Sequence, residues 1–126
     1  MDYSPKDFLV WGELPVSDMD KAMAFYSSVT GGDLQLDPNC PSPMAVFKPA
    51  NPETGVALHI YPGKPATNGN GPTLHLAAQG VLEDVMKRVE SAGGQVVSEP
   101  IQIPAGRFFY AKDPDGNSVG FFENQT

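Results

Sequence analysis

The chain has 126 residues, 40% of them hydrophobic, and 15 acidic against 8 basic side chains give a formal charge of −7. That length suits one compact domain, or two half-size units that share a core. The few basic residues are scattered, which argues against a nucleic-acid or anionic-membrane surface, and no apolar run approaches a membrane span.

Phe8 to Val16 reads as a strand rich in Phe, Leu, Val and Trp. Ser17 or Asp18 then supplies an N-cap, with Asp20 favourable in the first helical turn. Met19, Ala22, Met23, Tyr26 and Val29 recur at helical spacing until Gly31-Gly32 stops the helix. Leu34 to Asp37, Met44 to Lys48 and Val56 to Tyr61 follow as short strands, the last two separated by the turn Asn51-Pro52-Glu53-Thr54-Gly55. Gly63 to Gly71 is a linker rich in Gly, Pro and Asn.

The second half repeats this order. Thr73 to Ala78 is a strand, and Val81, Leu82, Val85, Met86 and Val89 mark a helix face that Gly93-Gly94 ends. Gln95 to Val97, Phe108 to Ala111 and Ser118 to Glu123 are strands, with the turn Asp113-Pro114-Asp115-Gly116-Asn117 between the last two. The two Gly pairs lie 62 residues apart, and at that offset Leu14 falls on Leu76, Pro38 on Pro100, Phe47 on Phe109 and Asn51 on Asp113. The chain therefore reads as a βαβββ unit written twice, about residues 7–62 and 72–124, within a single domain spanning 1–126. One helix and one small sheet cannot bury a core alone, so the units must pack together. The expected class is α+β, a curved mixed sheet around a cup suited to small molecules.

The segment Glu13-Leu14-Pro15-Val16-Ser17-Asp18-Met19-Asp20-Lys21-Ala22, with Ala24-Phe25-Tyr26 and Gly31-Gly32, resembles the opening of the vicinal oxygen chelate superfamily. Leu82 to Gly94 and the Asp113–Asn117 turn resemble its second half. That group holds glyoxalase I, extradiol dioxygenases and bleomycin- or fosfomycin-resistance proteins. The resemblance implies a glyoxalase-like fold, a small-molecule ligand or substrate, a homodimer, and a divalent metal acting as Lewis acid in the cup. The lone Cys40 and a start without a signal-peptide layout fit a cytoplasmic protein.

In metal-binding members a His precedes the helix-entry Val by five residues; that position is Trp11 here, and its repeat mate is Thr73. The last-strand acidic ligand lies three residues beyond the turn, at Gly120, whose mate is Leu58. Trp11, Leu58, Thr73 and Gly120 are no ligand set for a divalent ion, so the standard metal site is expected to be absent. A one-residue slip in the fourth strand would put His59 in place of Leu58.

Side chains two apart on a strand share a face. If Trp11 points into the cup, so does Glu13, and the same parity turns Thr73, His75 and Ala77 inward. Glu13 and His75 are repeat mates, so a carboxylate and an imidazole would enter one site from equivalent positions. One reading makes them a catalytic acid/base pair for a metal-free lyase or isomerase, with Glu13 abstracting a proton beside a carbonyl and His75 shuttling it. A second makes them ligand contacts in a sequestering, resistance-type binding protein, with Trp11 stacking on a flat ligand and Thr73, Arg107 and Tyr110 bordering it. A third draws a non-standard metal site from Glu13, His59 and His75. Ordinary structural roles remain open for each, and strand parity sets His59 with Ala57 and Tyr61, away from Leu58.

Overall fold

A computed structural model describes residues 3–5, 8–37, 44–51 and 57–123; Cys40, Val56 and most of the 51–55 turn lie outside them. Strand β1 (Trp11–Val16) leads into helix α1 (Met19–Thr30), then β2 (Leu34–Leu36), β3 (Ala45–Phe47) and β4 (Ala57–Pro62). After a 3-10 turn at Thr67–Gly69 come β5 (Leu74–Ala78), α2 (Leu82–Ser91), β6 (Gln95–Val96), β7 (Ile101–Ile103), β8 (Gly106–Lys112) and β9 (Ser118–Glu123). The strands form two sheets, β1-β4-β3-β2 and β5-β9-β8-β6, with β7 also paired to β8. In each sheet the first and last strands are parallel, β1 with β4 and β5 with β9, and the remaining pairs are antiparallel. The class is α+β, as expected.

Two elements differ from the sequence reading. The first strand starts at Trp11 and not at Phe8, because its ladder partner β4 begins opposite it at Ala57. Strand β7 is an addition: Ile101-Gln102-Ile103 sits between Pro100 and Pro104, a bracket that reads as loop. It pairs through a tight hairpin in which Ile103 faces Gly106, and Gly106 takes a φ of 142° that side-chain-bearing residues avoid.

Helix α1 begins where Asp18 accepts a hydrogen bond from the Lys21 amide at 3.1 Å, and it ends where Gly31 turns left-handed at φ 77°. Helix α2 has no side-chain cap of its own; its Leu82 amide donates instead to Glu123 of β9 at 2.9 Å. Ala22, Phe25, Tyr26 and Val29 of α1 and Leu82, Val85 and Val89 of α2 bury into one cluster with Leu14, Val16, Ile60, Phe109, Val119 and Phe121 from both sheets. Both helices thus cover the same side, and the opposite sheet faces carry no helix.

The units join at their edge strands. Gly12 of β1 lies so close to Leu74 of β5 and Leu58 of β4 that a Cβ there would stand 3.9 and 3.0 Å from them. The Asp113 carboxylate locks the seam from within: it accepts from the Tyr26 hydroxyl of α1 at 2.8 Å, from the amides of Asp115 and Asn117 at 2.9 Å each, and from the Asn117 side chain at 3.0 Å. The Asn117 amide group also donates to the Pro15 carbonyl at 3.0 Å. Arg88 of α2 completes the join by donating to the Val29 carbonyl at 2.9 Å. No helix among the described residues is long and apolar enough to cross a membrane.

Candidate functional site

On β1, Leu14 and Val16 are buried under the helices while Trp11 and Glu13 turn to the other face. The parallel ladder sets Glu13 opposite His59, and the two side chains share that face. The indole Nε1 of Trp11 donates to His59 Nδ1 at 2.8 Å, and His59 Nε2 lies 3.3 Å from Glu13 Oε1. His59 is 7% exposed. The Glu13 side chain remains 67% exposed.

The register corrects the gapless offset. Carried over by 62 residues, the pair Glu13–His59 would land on His75 and Phe121, yet His75 faces Gly120. One residue separates the two ladders, so the position matching Gly120 is His59, and Leu58 points to the core at 8% exposure. The slip raised as an alternative from the sequence is the observed arrangement.

The second unit presents rings. His75 packs edge-on against Phe108, Tyr110 and Phe122 at centroid distances of 5.1, 5.6 and 5.6 Å, and Phe108 stacks on Phe122 at 5.0 Å. Its imidazole lies over Gly120, where any added Cβ would collide with the ring. Desolvation among these rings lowers the His75 pKa below the usual 6.5. Thr73 shares the face, its hydroxyl 2.5 Å from that of Ser118. Phe108 and Phe122 are contributors that the sequence reading missed, beside Gly120, which it placed as the last-strand ligand position; the spacings Phe108-x-Tyr110 and Gly120-x-Phe122 carry the signal, since each pair shares a strand face.

The structure therefore brings Glu13 to His59 and Trp11, and His75 to Tyr110 and two phenylalanines. Glu13 and His75 hold equivalent first-strand positions but each is engaged within its own sheet. Arg107 is separated from both. Alternation along β8 turns it from Tyr110's face, and its guanidinium donates to Glu123 at 2.7 Å and to both Glu83 oxygens at 3.1 Å. These bonds raise the Arg107 pKa, through Glu123 first and Glu83 second, and hold both carboxyls below their ordinary range. A cleft of about 340 Å³ follows the seam beside this face, lined by Glu13, Pro15, Lys64, Pro72, Leu74 and Asn117 among others.

The metal that the resemblance implies needs three or more convergent donors. Among the described residues no group of three His, Cys, Asp or Glu side chains is placed to hold one. Both His59 nitrogens are engaged and His75 stands among apolar rings, so this donor set does not fit a divalent ion.

Comparison with known proteins agrees with the fold. The family model described as Glyoxalase/Bleomycin resistance protein/Dioxygenase superfamily matches residues 9–121. The proteins named "Putative glyoxylase CFP32" of Mycobacterium bovis and Mycobacterium tuberculosis are 32% identical over 111 residues, covering 86% of this chain and 41% of theirs. The chain thus spans less than half the length of these relatives. TnmS3, an antibiotic binding protein from Streptomyces sp. CB03234, superposes with a TM-score of 0.65 at 25% identity, covering 98% of this chain and 100% of that one. The fosfomycin resistance protein FosX from Listeria monocytogenes superposes at 0.68 with 17% identity, covering 94% and 91%.

Proposed function

The chain belongs to the Glyoxalase/Bleomycin resistance protein/Dioxygenase superfamily, and from that premise we propose that it binds a flat, aromatic small molecule on its helix-free face without using a divalent metal. The observation that carries this reading is the occupancy of the two last-strand positions. Gly120 offers no donor and its space holds the His75 ring, while His59 accepts from Trp11 at one nitrogen and faces Glu13 at 3.3 Å with the other. The accessible rings of that face are Trp11, 45% exposed, and Tyr110, 36% exposed. Such rings offer large apolar contact area at small entropic cost. The 25% identity to an antibiotic binding protein supports sequestration as the use of this site.

A second reading keeps Glu13 as a base in a lyase or isomerase. It is favoured by the exposed carboxylate with one oxygen free beyond its contact to His59. The proposal includes a cytoplasmic homodimer, for which the exposed Phe8, Leu9 and Val10 beside Trp11 supply apolar surface.

The chain's single tryptophan makes the test direct, because Trp11 fluorescence reports on the site itself. Aromatic metabolites and antibiotics should quench it saturably, with the same Kd in EDTA and in added zinc, nickel or manganese. Binding that appears only with a divalent ion would overturn the metal-free reading. Turnover of the bound compound that vanishes in Glu13→Gln would select the enzyme over the binding protein.

A further inference from the structure

The polar contacts around His59 have a fixed direction. An indole N–H can only donate, so His59 Nδ1, 2.8 Å from it, must present a lone pair. A neutral imidazole with its lone pair on Nδ1 carries its proton on Nε2, and Nε2 faces Glu13 Oε1 at 3.3 Å. A proton on Nδ1 would set donor against donor. The chain therefore runs one way, from Trp11 through His59 to the carboxylate.

We infer that Trp11 is a positioning residue: through His59 it orients Glu13 as the anionic acceptor of the helix-free face, leaving Oε2 for a donor group on an aromatic ligand. The geometry restricts the ligand further. Glu13 is 67% exposed and reachable, while Arg107 is bound to Glu83 and Glu123 on the opposite face. With Lys64 lining the seam cleft that Glu13 borders, the exposed Glu13 carboxylate sets one requirement, a hydrogen-bond donor on the ligand. Amidines, anilines and phenols meet it; an aromatic carboxylate does not. The ligand class rests on the binding reading above, but the positioning role does not.

With two histidines and one tryptophan the ligand-free protein can be read by ¹⁵N NMR. At pH 8, where imidazole is ordinarily neutral, a ¹⁵N–¹⁵N coupling across the hydrogen bond should join Trp11 Nε1 to His59 Nδ1, with the His59 proton on Nε2. Trp11→Phe should remove the coupling and allow an Nδ1–H population. His59→Gln keeps an acceptor and a donor and should hold the Glu13 side-chain carboxyl resonance, whereas His59→Leu should shift it. A His59 proton on Nδ1 in the parent protein, or a Glu13 resonance indifferent to both His59 variants, overturns the positioning role whether or not any ligand binds. For the ligand class, benzamidine should bind about tenfold or more tightly than benzoate by Trp11 quenching, a gap that Glu13→Gln closes. Equal binding of the two probes by the parent protein would overturn the donor requirement and leave the aromatic reading standing.

Discussion

The two units share an order of strands and a helix position, yet their open faces are built from opposite chemistry. In the first, Trp11 donates a hydrogen bond to His59, whose other nitrogen lies within ion-pair distance of Glu13. In the second, His75 lies within a group of three aromatic rings over a glycine. Their difference traces to the last strand. Where a side chain is present, as at His59, it accepts a hydrogen bond from Trp11 and approaches Glu13 of the first strand; where it is missing, as at Gly120, the first strand's imidazole folds into the gap. Duplicated topology thus supplies equivalent positions without equivalent contacts, and only the ladder register tells which positions correspond.

The largest test of that asymmetry is at the seam. Asp113 is 4% exposed and satisfies a phenol, two backbone amides and a side-chain amide, whereas its offset mate Asn51 lies exposed. Asp113→Ala would leave several buried donors unmatched and should cost roughly 3–5 kcal/mol in urea unfolding. Tyr26→Phe removes one donor and should cost roughly 1–3 kcal/mol. Burial, then the charge and hydrogen bond of Asp113, raise the Tyr26 phenol well above its usual 10.0. The folded state then keeps a proton that the unfolded chain releases. This contribution is complete below pH 10 and is lost as pH rises toward the folded-state value. The parent should therefore lose stability above pH 10 more steeply than Tyr26→Phe; parallel profiles would remove Tyr26 from the account.

Next in size is Gly120→Ala, which places a methyl group where the His75 ring lies. The ring must leave its aromatic neighbours, at a cost of roughly 1–3 kcal/mol, and aromatic probes should bind more weakly. Expelled into water, His75 should titrate nearer 6.5 than it does in the parent, where desolvation lowers it. The sign follows from that depression: the stabilisation is full above pH 6.5 and is lost as pH falls through the folded-state value. An unchanged His75 titration by NMR in Gly120→Ala would show that the ring does not depend on the empty position.

The doubled order of elements is legible from the Gly stops and turn residues, because capping and φ > 0 are local requirements. Asp18, Gly31 and the 113–117 turn behave as those requirements dictate. Strand β7 is hidden because its pairing to β8 is non-local and Pro100 and Pro104 give a loop signal. Strand parity suffices to place Trp11 with Glu13 and Thr73 with His75. It does not reveal that the first and last strands stand one residue out of step between the units, since a ladder register is set across the sheet and leaves no mark in either strand alone. The Trp11–His59–Glu13 chain follows from that register, and so escapes a reading by offset.

The smallest expected effect concerns Arg107, which the sequence reading set at the border of the ligand. Arg107 is the only arginine on β8 and stands three residues from Tyr110, on a strand expected to border the cup. The pairing with Phe122 and Phe121 shows why it faces away from that cup: Phe108 faces the His75 rings, so Arg107 and Phe109 face the helices. There its guanidinium ties β8 to Glu123 of β9 and to Glu83 of α2, near the surface where solvent screens such pairs. Glu123 in turn caps α2 through the Leu82 amide, so Arg107→Met should loosen the start of that helix slightly, visible as faster amide exchange at Leu82. Quenching of Trp11 by aromatic probes should keep its parent Kd. A loss of affinity without faster exchange would return Arg107 to the ligand face and break the division between an open aromatic face and a charged helix face.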